Sequence, residues 1–163
     1  VCGVWLLAQG LTPHQAAAQE DTAPALAVVD LRPVRGRTFH ELLMADIAKA
    51  RQLGRTPFLE LGGHSCGVCH AVHTLLDTRP VDPAVRAAFA GTYIIRIAFE
   101  DWGNRQTALG LDPDQRMPAY LAVDTLGRVT HILTVDYWTL SDFQADGKNP
   151  FRQFFLANGV RAG

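Results

Sequence analysis

The stretch that decides the fold is Thr56-Pro-Phe-Leu-Glu-Leu-Gly-Gly-His-Ser-Cys-Gly-Val-Cys-His-Ala-Val-His73. Its first part, residues 57–61, is mostly apolar and predicts a short buried strand, which the two glycines end. From Cys66 onward the apolar residues recur at helical spacing, which predicts a helix that continues to about Thr78. Two cysteines, three residues apart, therefore lie at the start of a helix that follows a core strand.

The position of this cysteine pair favours redox chemistry. A helix N-terminus stabilises a thiolate, because its unpaired N–H groups and its dipole favour negative charge. The pKa of a free cysteine is about 8.5, and such sites lower it to roughly 3.5–7.5. Cys66 and Cys69 also share one helix face, close enough to form a disulfide. The pair predicts a reversible dithiol/disulfide site, and a purely structural disulfide is the alternative.

The length and composition of the chain limit the classes of protein to which it can belong. The chain has 163 residues, of which 48% are hydrophobic, and this predicts one core and one domain. Its 15 Lys and Arg residues nearly balance its 16 Asp and Glu residues, and there is no basic run, which argues against a nucleic-acid or anionic-membrane partner. Because no run of 18 apolar residues occurs, we expect a mature chain without a membrane span. We also expect the protein to be a monomer.

The N-terminus differs from the rest of the chain. Residues 1–8 are mostly apolar, and three alanines at positions 16–18 precede a polar stretch. This resembles the second half of a secretory signal, without its positively charged start, and predicts a signal peptide at 1–18 and a single domain at 19–163. Removal of the signal would remove Cys2 and leave only Cys66 and Cys69. In an oxidising compartment that pair is expected to form one disulfide.

The remaining elements predict an α/β fold. Thr38 and Glu41 form a capping box before the first helix, residues 124–127 predict a tight hairpin turn, and Trp102 is the apolar anchor of an irregular segment at 100–116. Strands that alternate with helices and end in a hairpin predict a mixed central sheet of about five strands, flanked by helices on both faces. The predicted strands are 25–31, 57–61, 93–99, 119–123 and 129–135, the predicted helices are 39–53, 66–78, 83–91 and 150–158, and 137–148 is a predicted surface loop.

Four features together resemble the thioredoxin fold over roughly residues 25–160. The first is the Cys66-Gly-Val-Cys69 motif between a core strand and a helix, and the second is Glu60, six residues before Cys66. The third is Met117-Pro118 before the hairpin, which matches the cis-proline of the family. The fourth is the hairpin followed by a C-terminal helix. The resemblance implies a thiol–disulfide oxidoreductase.

The resemblance also implies roles for individual residues. Cys66 would be the exposed nucleophile and Cys69 the resolving thiol that attacks the mixed disulfide. No cofactor beyond the cysteines is implied, and the partners would be protein thiols and disulfides and a redox partner protein. Ser65 replaces a Trp that the family often carries; together with the export signal, this favours the exported, periplasmic type of thioredoxin-like protein in bacterial envelopes. The residues expected to contact substrate are Met117, Pro118, Gly67 and Val68.

Glu60 is the candidate proton acceptor. It lies in the middle of an apolar strand, where burial disfavours the charged form of a carboxyl. We expect it to accept the Cys69 proton through water as the mixed disulfide is resolved, unless the strand is an edge strand that directs Glu60 to solvent. His64, His70 and His73 surround the motif, and we expect them to be partly exposed loop and helix residues.

Three alternatives stay open. Cys66-Gly-Val-Cys69-His70 is also a c-type haem attachment string, in which His70 would be the proximal ligand and Met117 a candidate for the opposite one. The same cysteines with His70 and His73 offer soft ligands for copper or zinc. The third alternative is a non-catalytic interaction protein of the thioredoxin fold, in which the disulfide only holds the loop.

Overall fold

The computed structural model describes residues 26–103, 107–134 and 149–159. The predicted signal peptide and the predicted loop at 137–148 lie outside these residues. The strands are β1 (Ala27–Asp30), β2 (Thr56–Gly62), β3 (Thr92–Ala98), β4 (Ala119–Val123) and β5 (Val129–Thr134). The helices are α1 (Phe39–Gln52), α2 (Gly67–Asp77), α3 (Pro83–Ala88), α4 (Phe99–Trp102) and α5 (Pro150–Asn158), with a 3₁₀ turn at Thr107–Leu109.

The five strands form one mixed sheet in the order β1-β3-β2-β4-β5. β1 and β2 both pair in parallel with β3, whereas β4 runs antiparallel to β2 and to β5. The strand that precedes the cysteines is therefore central, with a parallel neighbour on one side and an antiparallel one on the other. The predicted mixed sheet of five strands is confirmed.

Helices cover both faces of this sheet, also as predicted. Because successive side chains of a strand point to opposite faces, β2 contributes Leu59 and Leu61 to one core and Phe58 and Glu60 to the other face. The first core is covered by α1, and the second by α2, α3 and α5. The main residues of this second core are Phe58, Val72, Leu76, Val85, Ile94, Tyr120, Phe151 and Phe155.

Local signals account for the ends of several elements. The capping box of α1 is present: the Glu41 N–H donates to Thr38 Oγ1 at 3.2 Å, and the Thr38 N–H donates to Glu41 Oε2 at 2.7 Å. In the hairpin, Asp124 Oδ1 accepts the N–H groups of Leu126 and Arg128, at 2.8 and 3.0 Å. These side-chain acceptors fix the turn that joins β4 to β5.

The structure differs from the sequence prediction at the end of β2. Gly62 was expected to end the strand, but it remains in the strand and pairs with Ala98. The expected irregular segment begins with the short helix α4, which takes Phe99 from the predicted strand. Trp102 is its anchor as predicted, since its Nε1 donates to the Leu31 carbonyl at 2.9 Å and its ring packs edge-on against Phe39. Among the described residues, no helix combines the length and apolar character needed to cross a membrane.

Candidate active site

Cys66 and Cys69 form a disulfide at the N-terminus of α2, with Sγ atoms 2.08 Å and Cα atoms 5.2 Å apart. Cys66 is the N-cap residue, and the Cys69 N–H points at Cys66 Sγ at 3.2 Å. Cys66 is partly exposed, whereas Cys69 is fully buried, with 0% of its surface accessible. An incoming thiol can therefore reach the first sulfur but not the second.

Gly62 makes room for the buried sulfur. A Cβ atom on Gly62 would lie 3.1 Å from Cys69 Sγ, so Cys69 packs directly on this part of β2. Glu60 lies two residues earlier on the same face of the strand, about 6.6 Å away along the chain. Cys69 and Glu60 are thus neighbours on one face of the sheet.

Glu60 is buried in the sheet, with 1% of its side chain exposed, and does not lie on an edge strand. Its two oxygens face different partners. Oε1 lies 2.5 Å from His73 Nε2, and Oε2 lies 3.5 Å from Arg96 Nε. Arg96 is opposite Glu60 in the β2–β3 register, and its guanidinium also contacts the carboxylate of Asp77 at 3.3 and 3.4 Å. Glu60 is therefore held by one cation from β3 and by one histidine from α2.

Tyr120 completes the surroundings of Glu60 from the β4 side, where the two residues are register partners. Burial, and then the charge of Glu60, raise the pKa of Tyr120 well above its ordinary value, against the smaller opposite effect of Arg96. Tyr120 is therefore a neutral phenol at any pH at which the protein works. The Tyr120 hydroxyl faces the Glu60 carboxylate, but it makes no hydrogen bond of good geometry within the described part of the chain.

The loop before Cys66 is attached to α4 and α2 through His64. The His64 N–H donates to Glu100 Oε1 at 2.9 Å, and its ring Nε2 lies 2.8 Å from Asp101 Oδ1. The His64 carbonyl lies 2.8 Å from His70 Nε2; since a carbonyl only accepts, His70 carries a proton on Nε2. The hydrogen bond and charge of Asp101 raise the pKa of His64, so this exposed ring is charged over a wider pH range than a free histidine.

A cleft of about 190 Å³ opens next to Gly62 and Gly63, at the carboxyl ends of β1, β3 and β2 and against the first turns of α2. It is lined by carboxyl, guanidinium and imidazole groups as well as apolar ones, and it has space for several water molecules. Its polar side chains include those of Glu60, Arg96, His64, His70, His73 and Asp101.

The Met117–Pro118 peptide is cis, as the resemblance implied. Pro118 is buried, and Met117 is partly exposed. Because Ala119 pairs with Leu61, Pro118 lies at the end of β2 that carries Gly62 and the disulfide. The structure thus places Met117 and Pro118 at the same end of the sheet as the cysteines.

The other candidate residues occupy the first turn of α2. Gly67 is exposed, and a Cβ atom there would meet nothing within 4 Å; Val68 is partly exposed. Over residues 26–103, 107–134 and 149–159, no three His, Cys, Asp or Glu side chains are grouped to hold a metal ion. The histidine that follows the cysteine motif, His70, directs its Nε2 to the His64 carbonyl, and His73 directs its Nε2 to Glu60.

The sequence analysis did not predict the contact of His73 with Glu60, and it did not single out Arg96. His73 follows Cys69 by four positions, so it shares the helix face that holds Cys69 and Leu76 against the sheet. Arg96 is the single charged residue of an otherwise apolar strand, as Glu60 is in β2. These two signals are visible in the sequence, but the pairing of Glu60 with Arg96 becomes visible only with the strand register.

Comparison with known proteins supports the fold. No family model and no curated protein matches the sequence. Among solved structures, the chain is similar to a thioredoxin from Nicotiana alata, with a TM-score of 0.52 and 14% identity, over 82% of this chain and 93% of the other. An oxidised thioredoxin from Arabidopsis thaliana gives a TM-score of 0.45 at 12% identity, over 72% of this chain and 92% of that one. With the strand order and the cysteine helix described above, the first of these likenesses shows that the chain has a thioredoxin fold.

Proposed function

We propose that the protein is a thiol–disulfide oxidoreductase that exchanges the Cys66–Cys69 disulfide with protein substrates. The observation that carries this proposal is the unequal exposure of the two sulfurs at a helix N-terminus. Cys66 is partly exposed and is the N-cap of α2, whereas Cys69 is buried on Gly62. An accessible nucleophile beside a shielded resolving thiol is the arrangement that two-step disulfide exchange needs.

The reaction follows from these positions. In the reductive direction, the Cys66 thiolate attacks one sulfur of a substrate disulfide; that S–S bond breaks, a Cys66–substrate disulfide forms, and the other substrate sulfur leaves as a thiolate. Cys69 then loses its proton and attacks Cys66 Sγ, which forms the Cys66–Cys69 disulfide and releases the second substrate thiolate. Two electrons pass from the protein dithiol to the substrate disulfide. The reverse sequence oxidises a substrate dithiol.

Glu60 is the proposed acceptor of the Cys69 proton. It is the carboxyl on the same strand face as the position on which Cys69 packs, two residues away. At that spacing the proton is transferred through a water molecule in the adjoining cleft, to which Glu60 contributes part of the lining. When Cys69 is the attacking thiol, a base at this distance favours its thiolate at the moment of resolution.

The proposed substrate surface joins the first turn of α2 to the start of β4. Met117 is partly exposed next to the end of β2, and an extended substrate chain would pair with its backbone. Gly67 and Val68 would face the same chain from the helix side, where the absence of a side chain on Gly67 leaves open space. Protein segments that present a cystine or a cysteine in an extended conformation are the substrate class proposed.

We also propose that the protein acts in an exported, oxidising compartment such as the bacterial periplasm. The support is the apolar and alanine-rich pattern of residues 1–18 together with the single cysteine pair that would remain after cleavage. Mass determination of the chain recovered from an expressing bacterial cell tests this proposal. We expect an exported form that begins at Gln19, and an uncleaved chain retained inside the cell contradicts it.

Trapping of the mixed disulfide tests the main proposal. With a protein disulfide as substrate, Cys69→Ser should accumulate a covalent complex through Cys66, because the resolving thiol is absent. Cys66→Ser should form no such complex, since Cys69 is buried, and it is the matched control. Equal trapping by both variants, or by neither, overturns the proposed function.

A further inference from the structure

We propose that His73 transfers the proton between Glu60 and the solvent of the cleft during disulfide exchange. The proposal rests on the proposed oxidoreductase function and adds to it a residue for which the cysteine motif gives no role. Its basis is the contact of 2.5 Å between His73 Nε2 and Glu60 Oε1, made by one residue that is buried and one that is not. A buried proton acceptor needs such a connection, because it must return each proton to water before the next turnover.

The side chains that face Glu60 differ in their ability to pass a proton on. Arg96, from β3, keeps its proton under all conditions relevant to a protein. Tyr120, from β4, is fully buried, and its raised pKa keeps it protonated. Asp77, on α2, contacts Arg96 rather than Glu60. Within the described part of the chain, His73 is the contact of Glu60 whose two ring nitrogens can each accept or donate a proton.

The difference in exposure between Glu60 and His73 indicates that a proton on Glu60 reaches solvent through His73. Glu60 has 1% of its side chain exposed, whereas His73 has 29% exposed, and both line the same cleft. The other charged and titratable side chains lining the cleft are Asp30, Arg32, His64, His70 and Asp101. Four of these are paired with each other, Asp101 with the His64 ring and Asp30 with Arg32, and His70 Nε2 faces the His64 carbonyl.

The proton balance of the step is as follows. As Cys69 attacks Cys66 Sγ, its thiol proton passes through water to Glu60, and the new S–S bond releases the substrate thiolate. Glu60 passes this proton to His73 at Nε2, and the ring releases a proton from Nδ1 to water in the cleft. This leaves the ring proton on Nε2 instead of Nδ1, and exchange with water in the cleft restores the starting tautomer, so that Glu60 and His73 end in the state in which they began. The electron pair of the Cys69 thiolate remains in the Cys66–Cys69 bond. Reduction of the disulfide uses the same pathway in reverse.

The test follows the resolution step alone. Each variant is converted to its Cys66–glutathione mixed disulfide at low pH and then shifted to pH 5–9, and glutathione release is followed by acid quench and mass. His73→Ala should release glutathione at least about tenfold more slowly than the wild type near pH 7, with an altered pH–rate profile, because proton transfer by a placed side chain contributes roughly 10²–10⁴-fold. Added imidazole, which can enter the cleft at the truncated position, should restore most of the rate.

Three further variants make the result specific. Glu60→Gln should also be slow, but imidazole should not restore its rate, and Glu60→Gln combined with His73→Ala should be no slower than Glu60→Gln alone. His70→Ala, which removes a cleft histidine bonded to a carbonyl rather than to a carboxylate, should show no imidazole dependence. A His73→Ala profile that matches the wild type, or a loss that imidazole does not restore while the variant melts like the wild type, overturns the role of His73. Absence of glutathione release from the wild type overturns the proposed function instead.

Discussion

Glu60 and Arg96 are register partners on the two central parallel strands, and Arg96 Nε lies 3.5 Å from Glu60 Oε2 inside the sheet. The Arg96 side chain is only 13% exposed, and its charge is compensated by this carboxylate and by that of Asp77. The two strands that position the disulfide are thus joined by a charge pair as well as by backbone hydrogen bonds. A pair of this kind costs most when only one of its members is removed.

The first prediction concerns this pair. Arg96→Met should lower the free energy of unfolding of the oxidised protein by about 3 kcal/mol, because it leaves a carboxylate buried without its cation. Urea unfolding measures the change. The control is Arg32→Met, which removes an exposed arginine from an exposed pair with Asp30 and should cost under about 1 kcal/mol. If the two variants unfold at the same urea concentration, the buried pair contributes no more to the stability of the fold than the exposed pair does.

The second prediction concerns the space below Cys69. Gly62→Ala should destabilise the oxidised protein by about 1–3 kcal/mol, because the new Cβ would lie 3.1 Å from Cys69 Sγ and both must shift. Gly67→Ala is the control, since a Cβ there meets nothing within 4 Å and its effect should stay within about 1 kcal/mol. A Gly62→Ala protein as stable as Gly67→Ala would contradict the packing of Cys69 on β2.

The third prediction concerns the pH dependence of the loop before Cys66. The pKa of His64 is raised above its ordinary value of 6.5 by Asp101, so the contact stabilises the fold fully below about that pH and is lost as pH rises through the folded value. Asp101→Asn should therefore lower the His64 pKa, as followed by NMR titration of the ring. The melting temperature of Asp101→Asn should fall below that of the wild type more at pH 5.5 than at pH 8.5. Glu100→Gln should shift the His64 pKa less, and a reversed order of the two variants would contradict the assignment.

The fourth prediction concerns the hairpin turn. Asp124 accepts the N–H groups of Arg128 and Leu126 and pairs with the Arg128 guanidinium, which lowers its pKa below the ordinary 3.8. A lowered folded pKa means that the stabilisation is present above the unfolded value and is lost as pH falls through the folded value. Asp124→Asn should melt at a lower temperature than the wild type at pH 7, and thermal melts should show this gap closing as pH falls below the ordinary value of 3.8. A gap that does not narrow as pH falls below 3.8 would show that the charge of Asp124 contributes nothing.

Much of this fold could be predicted from local signals. The Thr38–Glu41 capping box is encoded within a few neighbouring residues, and the alternation from strand to helix gave the mixed sheet. The end of β2 was misplaced because Gly62 looked like a strand terminator. Gly62 instead stays in the strand, and Cys69 occupies the space next to it that a side chain would need. This is a tertiary contact, which the neighbouring residues in the sequence do not reveal.

The site was predicted less completely than the fold, for the same reason. Cys66, Cys69 and Glu60 stand in one short stretch, and their proximity follows from a strand–helix unit. The partners of Glu60 are His73, on the helix that follows β2, and Arg96, on β3. Their contacts with Glu60 depend on the orientation of α2 and on the register of β3 with β2. A histidine on the buried stripe of α2 and a lone charge in β3 were the available signals.

The most direct test of the central claim is the equilibrium between the Cys66–Cys69 disulfide and its dithiol. A chain that begins at Gln19 is equilibrated across a series of glutathione redox buffers, and its free thiols are alkylated and counted by mass. We expect a single two-electron transition in which both cysteines change together. Its midpoint distinguishes a reductant from an oxidant, since about 30 mV corresponds to a tenfold change in the equilibrium constant of this two-electron couple. A disulfide that does not exchange at any glutathione ratio in the folded protein would contradict it and leave the pair a structural bond.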